Sequence, residues 1–201
     1  VAVIDNHTNY GIIPQAEMDY LFTERLKKLK SHQHYNVDIT NNYYVKAAID
    51  TENPNVIIHM ASFPRQKVVN SNPALGSRVM SEGLLNLLES SARYDVRKFI
   101  YISSSMVYGD FTDQVTEDAP CRPQGQYGIM KLMGEDLVKD YSRRYGFDYT
   151  IIRPSAVYGE YDVEDRVVSK FMLGAMRGET LKVKGAGEVL DFTYVEDAAM
   201  V

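Results

Sequence analysis

The sequence predicts a doubly wound, parallel α/β sheet. Three observations carry this: short apolar segments without polar–apolar alternation, amphipathic helical segments between them, and a length of 201 residues with 45% hydrophobic and 24% charged residues. That is enough chain for one core and a small second lobe. Residues 1–5, an apolar run closed by Asp5, read as a buried strand. Helix is expected at 15–30, a short strand at 35–39, helix at 42–51 and strand at 55–61. A long helix over 73–94 follows, then an apolar strand at 98–103, a loop reaching Gly125, a helix at 126–145 and a strand at 148–153. Strands buried on both faces lose the in–out alternation of a half-exposed sheet, and the intervening helices supply the cover. Beyond about 160 the rhythm changes to a helix at 163–177, a short strand at 181–184 and a Gly-Ala-Gly turn at 185–187, followed by Asp-Phe-Thr-Tyr-Val at 191–195. The expected division is a sheet domain over 1–160 and part of a second lobe, interleaved with it, over 161–201.

Twenty-two Lys and Arg against 27 Asp and Glu give a formal net charge of −5. This is the wrong sign for a surface that neutralises a polyphosphate, so no nucleic-acid partner is expected. No apolar run approaches the roughly 20 residues that cross a bilayer, and no basic-then-apolar leader opens the chain. The reading is cytoplasmic, with no membrane partner. Cys121 is the single cysteine and forms no internal disulfide; His7, His32, His34 and His59 lack metal-ligand spacing. No metal is expected.

The candidate chemistry begins with Tyr127 and Lys131, which on a helix share one face about a turn apart. An adjacent ammonium favours phenolate and would let the tyrosine act as a base on an alcohol. The spacing also fits a surface packing pair, and it recurs at Tyr94 and Lys98, where a helix ends and a strand begins. Upstream, Ser103, Ser104 and Ser105 stand at the end of a buried parallel strand, where ligands bind in open α/β sheets. They read either as a capping and turn device or as donors to a bound oxygen. Asp5 reads either as a turn-forming Asp-Asn or as a strand-end carboxylate able to accept hydrogen bonds from a ligand's hydroxyls.

Four blocks in order resemble the extended short-chain dehydrogenase/reductases, the NAD-dependent epimerase/dehydratase family acting on nucleotide sugars. They are Ser-Ser-Ser-Met-Val-Tyr-Gly at 103–109, the stretch from Pro123 through Tyr127 and Lys131 to Glu135, Arg-Pro-Ser-Ala-Val-Tyr-Gly at 153–159 and Asp-Phe-Thr-Tyr-Val-Glu-Asp at 191–197. The resemblance implies a Rossmann fold, bound NAD and catalysis by Ser104, Tyr127 and Lys131. It implies cofactor contacts from Asp5, Asn6, Asp38, Ile39, Ala61, Ser62, Ser103, Tyr127, Lys131, Pro154 and Val157, with His59 structural. The implied reaction is epimerisation of a nucleotide sugar, at C4, by transient oxidation to a keto sugar. A 4-reductase, a dehydratase, a decarboxylase and a non-catalytic NAD-binding member are the alternatives. A dehydratase by resemblance carries Asp-Glu directly after the catalytic hydroxyl, where this chain has Ser105 and Met106.

Other positions depart from the family pattern. None of the thirteen glycines forms its Gly-rich phosphate loop. The resemblance therefore implies a sheet lacking its first strand and that loop, a fragment shortened at both ends, and weak or absent NAD binding by the fragment alone. Met80 and Ala156 stand where the family has Asn, and Leu190 where it has a phosphate-binding Arg; Lys182, Lys184 or Arg166 are candidates to supply that charge. Leu75, Val79, Leu84, Leu87 and Leu88 on one long helix, with Leu132, Leu137, Val138 and Tyr141 on the other, exceed what one sheet face needs. A homodimer of the intact protein is expected from that surplus, with ordinary core packing as the alternative.

Overall fold

The computed structural model describes residues 1–29, 32–110, 114–183, 185, 187 and 190–200. In chain order the strands are β1 (Ala2–Asp5), β2 (Gln33–Asn36), β3 (Val56–His59), β4 (Lys98–Ile102) and β5 (Asp148–Ile152). The helices are α1 (Gln15–Lys27), α2 (Asn42–Glu52), α3 (Gln66–Ser71), α4 (Pro73–Ser77), α5 (Gly83–Ser91), α6 (Gly125–Tyr145), α7 (Val167–Met176) and α8 (Val195–Ala199). They group into two compact units, Val1–Tyr10 with His32–Arg153, and Gly11–Ser31 with Pro154–Val201.

All strand pairs in the first unit are parallel, but the cover expected on both faces is incomplete: no residue of β1 is buried, and Val56 and Ile58 of β3 are exposed. β1 lies beside β2 with Ala2 opposite Gln33, and β4 is central to a second sheet with Val56 and Asp148 flanking Lys98. The α/β rhythm is thus carried by two sheets, with no ladder joining β1 to β3 among the described residues. One core fills this unit: Phe99 and Tyr101 from β4 meet Leu84 and Leu88 from α5, Val138 and Tyr141 from α6, Val45 from α2, and Phe63 and Val69. Gly134 has no Cβ because the Tyr101 hydroxyl lies where one would go, which lets α6 approach β4 closely.

Several elements differ from the sequence reading. The strand expected at 35–39 starts at Gln33, because its ladder with β1 runs from Gln33 N–H on Val1 O to Val37 N–H on Asp5 O; Asp38 then turns the chain by accepting the Thr40 N–H. The single helix of 73–94 is α4, a π-helical turn at Arg78–Glu82, and α5. The extra residue in the wide turn rephases the helix so that adjacent Val79 and Met80 both face the core. The predicted dimer surplus is mostly spent inside the chain: Val79, Leu84, Leu87, Leu88, Val138 and Tyr141 are buried, while Leu75 is exposed. Helix α3 and a 3₁₀ turn at Ser105–Val107 were not expected.

In the second unit, α1 ends at Lys27, and Lys30 lies outside the described residues. α7 begins at Val167, because Arg166 is extended. Leu181–Val183 is not a strand, and Lys184, Ala186, Glu188 and Val189 lie outside the described residues. Just ahead of α8 the chain makes one parallel bridge, Tyr158 with Tyr194. No helix among the described residues is long and apolar enough to cross a membrane.

Candidate active site

Strand β4 delivers the serines. Ser103 is buried, and Ser104, in extended backbone, caps the 3₁₀ turn by accepting the Met106 N–H on its Oγ at 3.2 Å. The capping reading of these serines is therefore realised at Ser104, which is 8% exposed. Helix α6 delivers Tyr127 and Lys131 to the same place. A Cβ on Gly128 would stand 2.7 Å from the Met106 carbonyl oxygen and 3.1 Å from the Pro123 Cβ, so the glycine lets the first turn of α6 lie directly on the turn that Ser104 caps.

Lys131 is only 4% exposed. Its Nζ donates to the carbonyl of Ile102, the last residue of β4, at 2.8 Å, and lies 5.8 Å from the Tyr127 ring centre and 5.3 Å from that of Tyr101. The aromatic faces and the carbonyl compensate part of the lost hydration. Burial nevertheless pushes its pKa down to about 8. Two of its neighbours, His59 and Tyr101, are held neutral. Burial, aided by the Lys131 charge, pushes buried His59 down to about 3, and its ring stacks on Tyr101 at 5.8 Å. Burial, with the charges of Tyr127 and Glu135, raises Tyr101 above the ordinary phenol value. His59 is thus a neutral packing group, as expected, and Lys131 is the cation.

One turn beyond Lys131, Glu135 is fully buried and ties the site together. It accepts Ser103 Oγ at 2.6 Å and a bidentate pair from Arg153, Nε at 2.9 Å and Nη2 at 2.7 Å. Arg153 Nη1 reaches on to the Tyr108 hydroxyl and the Glu117 carbonyl, both at 2.9 Å. Burial alone would raise the Glu135 carboxyl, but the Arg153 and Ser103 hydrogen bonds and the Arg153 and Lys139 charges hold it below its ordinary value. The ends of β4 and β5 and the middle of α6 are locked in one register by this group. In the sequence Glu135 and Arg153 stand in motifs without a role of their own; the signal for Glu135 is its place four residues beyond Lys131, on the same helix face.

The ends of β1 and β2 form a second cluster. Asp5 Oδ1 accepts the His7 N–H at 2.7 Å, and Asn6 Nδ2 donates to Asp38 Oδ2 at 3.1 Å. Asp38 also takes the Thr40 N–H and hydroxyl; burial opposes its ionisation, yet these bonds and Arg78 hold its pKa below the ordinary value. Ile39 points into the core, with its carbonyl held by Asn86 Nδ2 at 2.9 Å. Ala61 and Ser62 follow β3 and are half-buried. Pro154 and Val157 belong to the second unit, where the Val157 carbonyl accepts Arg166 Nη2 at 3.3 Å. Arg166 also lies 3.7 Å from Asp162, Lys182 is exposed, and Lys184 is outside the described residues.

The donor set has the chemistry two riboses would need: an exposed carboxylate at one strand tip is a hydroxyl acceptor, and the buried ammonium at the next sheet's tip is a donor. Among the described residues no group of three or more His, Cys, Asp or Glu could hold a metal ion.

The sequence model of the NAD dependent epimerase/dehydratase family matches residues 13–201. The chain is 27% identical over 203 residues to dTDP-D-glucose 4,6-dehydratase of Homo sapiens, covering 98% of this chain and 58% of that protein. It is 34% identical over 157 residues to a putative UDP-glucose 4-epimerase of Methanocaldococcus jannaschii, 75% of this chain and 52% of that protein. Among solved structures, the UDP-glucuronic acid 4-epimerase of Bacillus cereus in complex with UDP-glucuronic acid and NAD superposes with a TM-score of 0.85 at 26% identity, over 98% of this chain and 62% of that one. The chain thus spans little more than half the length of these curated relatives.

Proposed function

Because this chain belongs to the NAD dependent epimerase/dehydratase family, we propose that it carries the catalytic centre of an NAD-dependent nucleotide-sugar epimerase. The observation that supports this most is the buried Lys131 ammonium, bonded to the tip of β4 beside the Tyr127 ring, with Ser104 two residues beyond that tip. In this reading the Tyr127 oxygen takes the proton of a sugar hydroxyl and later returns it, Ser104 hydrogen-bonds the same sugar oxygen, and Lys131 keeps positive charge beside the phenol. In this reading Asp5, Asn6, Asp38, Ala61 and Ser62 line the cofactor's path in the first unit, where the side chains of Ile39 and Ser103 are turned to the core and to Glu135. NAD, when bound, supplies the acceptor and donor of hydride. The net change is inversion at one sugar carbon, C4 in this proposal, with no net redox change.

The similarity to dTDP-D-glucose 4,6-dehydratases favours a second reading, loss of water from the sugar. Against it, Ser105 and Met106 follow Ser104 and offer no carboxyl group to protonate a departing hydroxyl. The test is product analysis with the whole protein, NAD and, in separate reactions, UDP-glucose, UDP-glucuronic acid and dTDP-glucose. Epimerisation gives a product of unchanged mass; a product lighter by one water overturns the epimerase reading in favour of the dehydratase. Pairing of two copies through the helices bearing Leu75 and Ile129, both exposed, belongs to the same proposal and is read by light scattering of the whole protein.

A further inference from the structure

We propose that Gln66 is a positioning residue for Tyr127, acting as a helix cap supplied from another part of the chain; the inference rests on the catalytic reading of Tyr127 given above. The first N–H groups of a helix lack intrahelical acceptors, and a side chain just before the helix ordinarily supplies one. Helix α6 has no such cap: Gln124 makes no capping bond, and its Nε2 donates to Asp110 instead, at 2.8 Å. The Tyr127 N–H is accepted by Gln66 Oε1 at 3.1 Å, across 61 residues of sequence. Gln66 is itself held, its Nε2 donating to Asn70 Oδ1 one turn along α3 at 2.8 Å.

The neighbouring residues support the same docking. Gly125, at φ +76°, has no Cβ where the Gln66 amide lies, so the glycine serves both the left-handed backbone and the approach of the cap. Gln126 Nε2 donates to the Pro73 carbonyl at 2.9 Å and to Ser77 Oγ at 2.7 Å. Residues 125–127 are thereby seated on the 66–77 segment, and the bond from Gln66 falls on the backbone of the residue that bears the phenol. A small displacement of such a group lowers the rate of proton transfer while substrate binding elsewhere is unchanged.

The experiment compares Gln66→Leu, which removes the acceptor, with Gln66→Glu, which keeps one, in the whole protein with NAD and UDP-glucose, UDP-glucuronic acid or dTDP-glucose as probe. Expected for Gln66→Leu is a fall in kcat of about 10- to 100-fold per folded molecule with KM changed by less than about threefold. Gln66→Glu should recover kcat to within about threefold of wild type. Amide hydrogen exchange supplies a readout independent of turnover: protection of the Tyr127 N–H falls about tenfold in Gln66→Leu and is kept in Gln66→Glu. If wild type turns over and Tyr127→Phe is dead, but Gln66→Leu keeps its kcat or the Tyr127 N–H keeps its protection, the role of Gln66 is overturned and the catalytic reading stands. If Tyr127→Phe turns over like wild type, the catalytic reading fails and this inference falls with it.

Discussion

Replacing Arg153 by Met would leave the Glu135 carboxylate buried without its bidentate partner. Glu135 is fully buried and the Arg153 side chain is 16% exposed, so water cannot take over the two lost N–H bonds. Lys139, 3.8 Å from Oε2 and 42% exposed, is too distant and too well hydrated to substitute. Breaking one side of a buried pair costs about 3–5 kcal/mol, whereas replacing both partners by apolar residues is close to neutral. Arg153→Met should therefore lose about 3–5 kcal/mol in urea unfolding at pH 7, a melting shift of about 6–20 °C for a chain of this size. Arg153→Met with Glu135→Leu should recover most of it. The sign of the pH dependence follows from the wild-type carboxyl lying below its ordinary value. The pair's contribution is complete above the unfolded carboxyl pKa and is lost as pH falls through the folded one. In the single variant the carboxyl is raised by burial with only the Ser103 hydrogen bond and the Lys139 charge left to offset it, so acid relieves the isolated charge, and the gap from wild type narrows between pH 7 and pH 4. A deficit below about 1 kcal/mol, or a gap that stays constant over that range, would refute this account of the network.

Three further outcomes are expected. Turnover should fall as pH rises through about 8, where Lys131 loses its proton, and a pH profile of kcat reads this; because the folded value is depressed, the same group makes stability rise with pH between about 8 and the unfolded lysine value. Gly134→Ala should cost about 1–3 kcal/mol by overpacking, in part relieved by Tyr101→Phe, which removes the hydroxyl the new methyl meets; thermal melts of the single and double variants check it. Ser104→Ala should cost about 1 kcal/mol in stability through the lost 3₁₀ cap but at least about 100-fold in kcat, separating its two roles in one variant.

Local pattern made much of this molecule legible. Parallel strands follow from apolar runs such as 98–102, although such a run does not guarantee cover on both faces, as exposed Val56 and Ile58 of β3 show, and the i, i+4 spacing of Tyr127 and Lys131 survives intact because α6 runs unbroken across it. Motif order carried the family. Features set by packing between distant segments were not legible. The π-helical turn at Arg78–Glu82 exists because Val79 and Met80 both bury, and the Gln66 cap joins residues with no shared periodicity. Apolar counting on the long helices suggested a partner surface where the chain buries most of those side chains against its own sheet. Glu135 closes a motif without a role of its own until Arg153 and Ser103 converge on it from the ends of two strands.

Mixing the NAD-loaded whole protein with the nucleotide sugar it turns over, and following the near-ultraviolet absorbance of reduced nicotinamide, tests whether the Tyr127 oxygen receives the sugar's proton as oxidation begins. The account predicts a transient of reduced cofactor in wild type and its loss in Tyr127→Phe at unchanged cofactor occupancy. An equal transient in both proteins would contradict it.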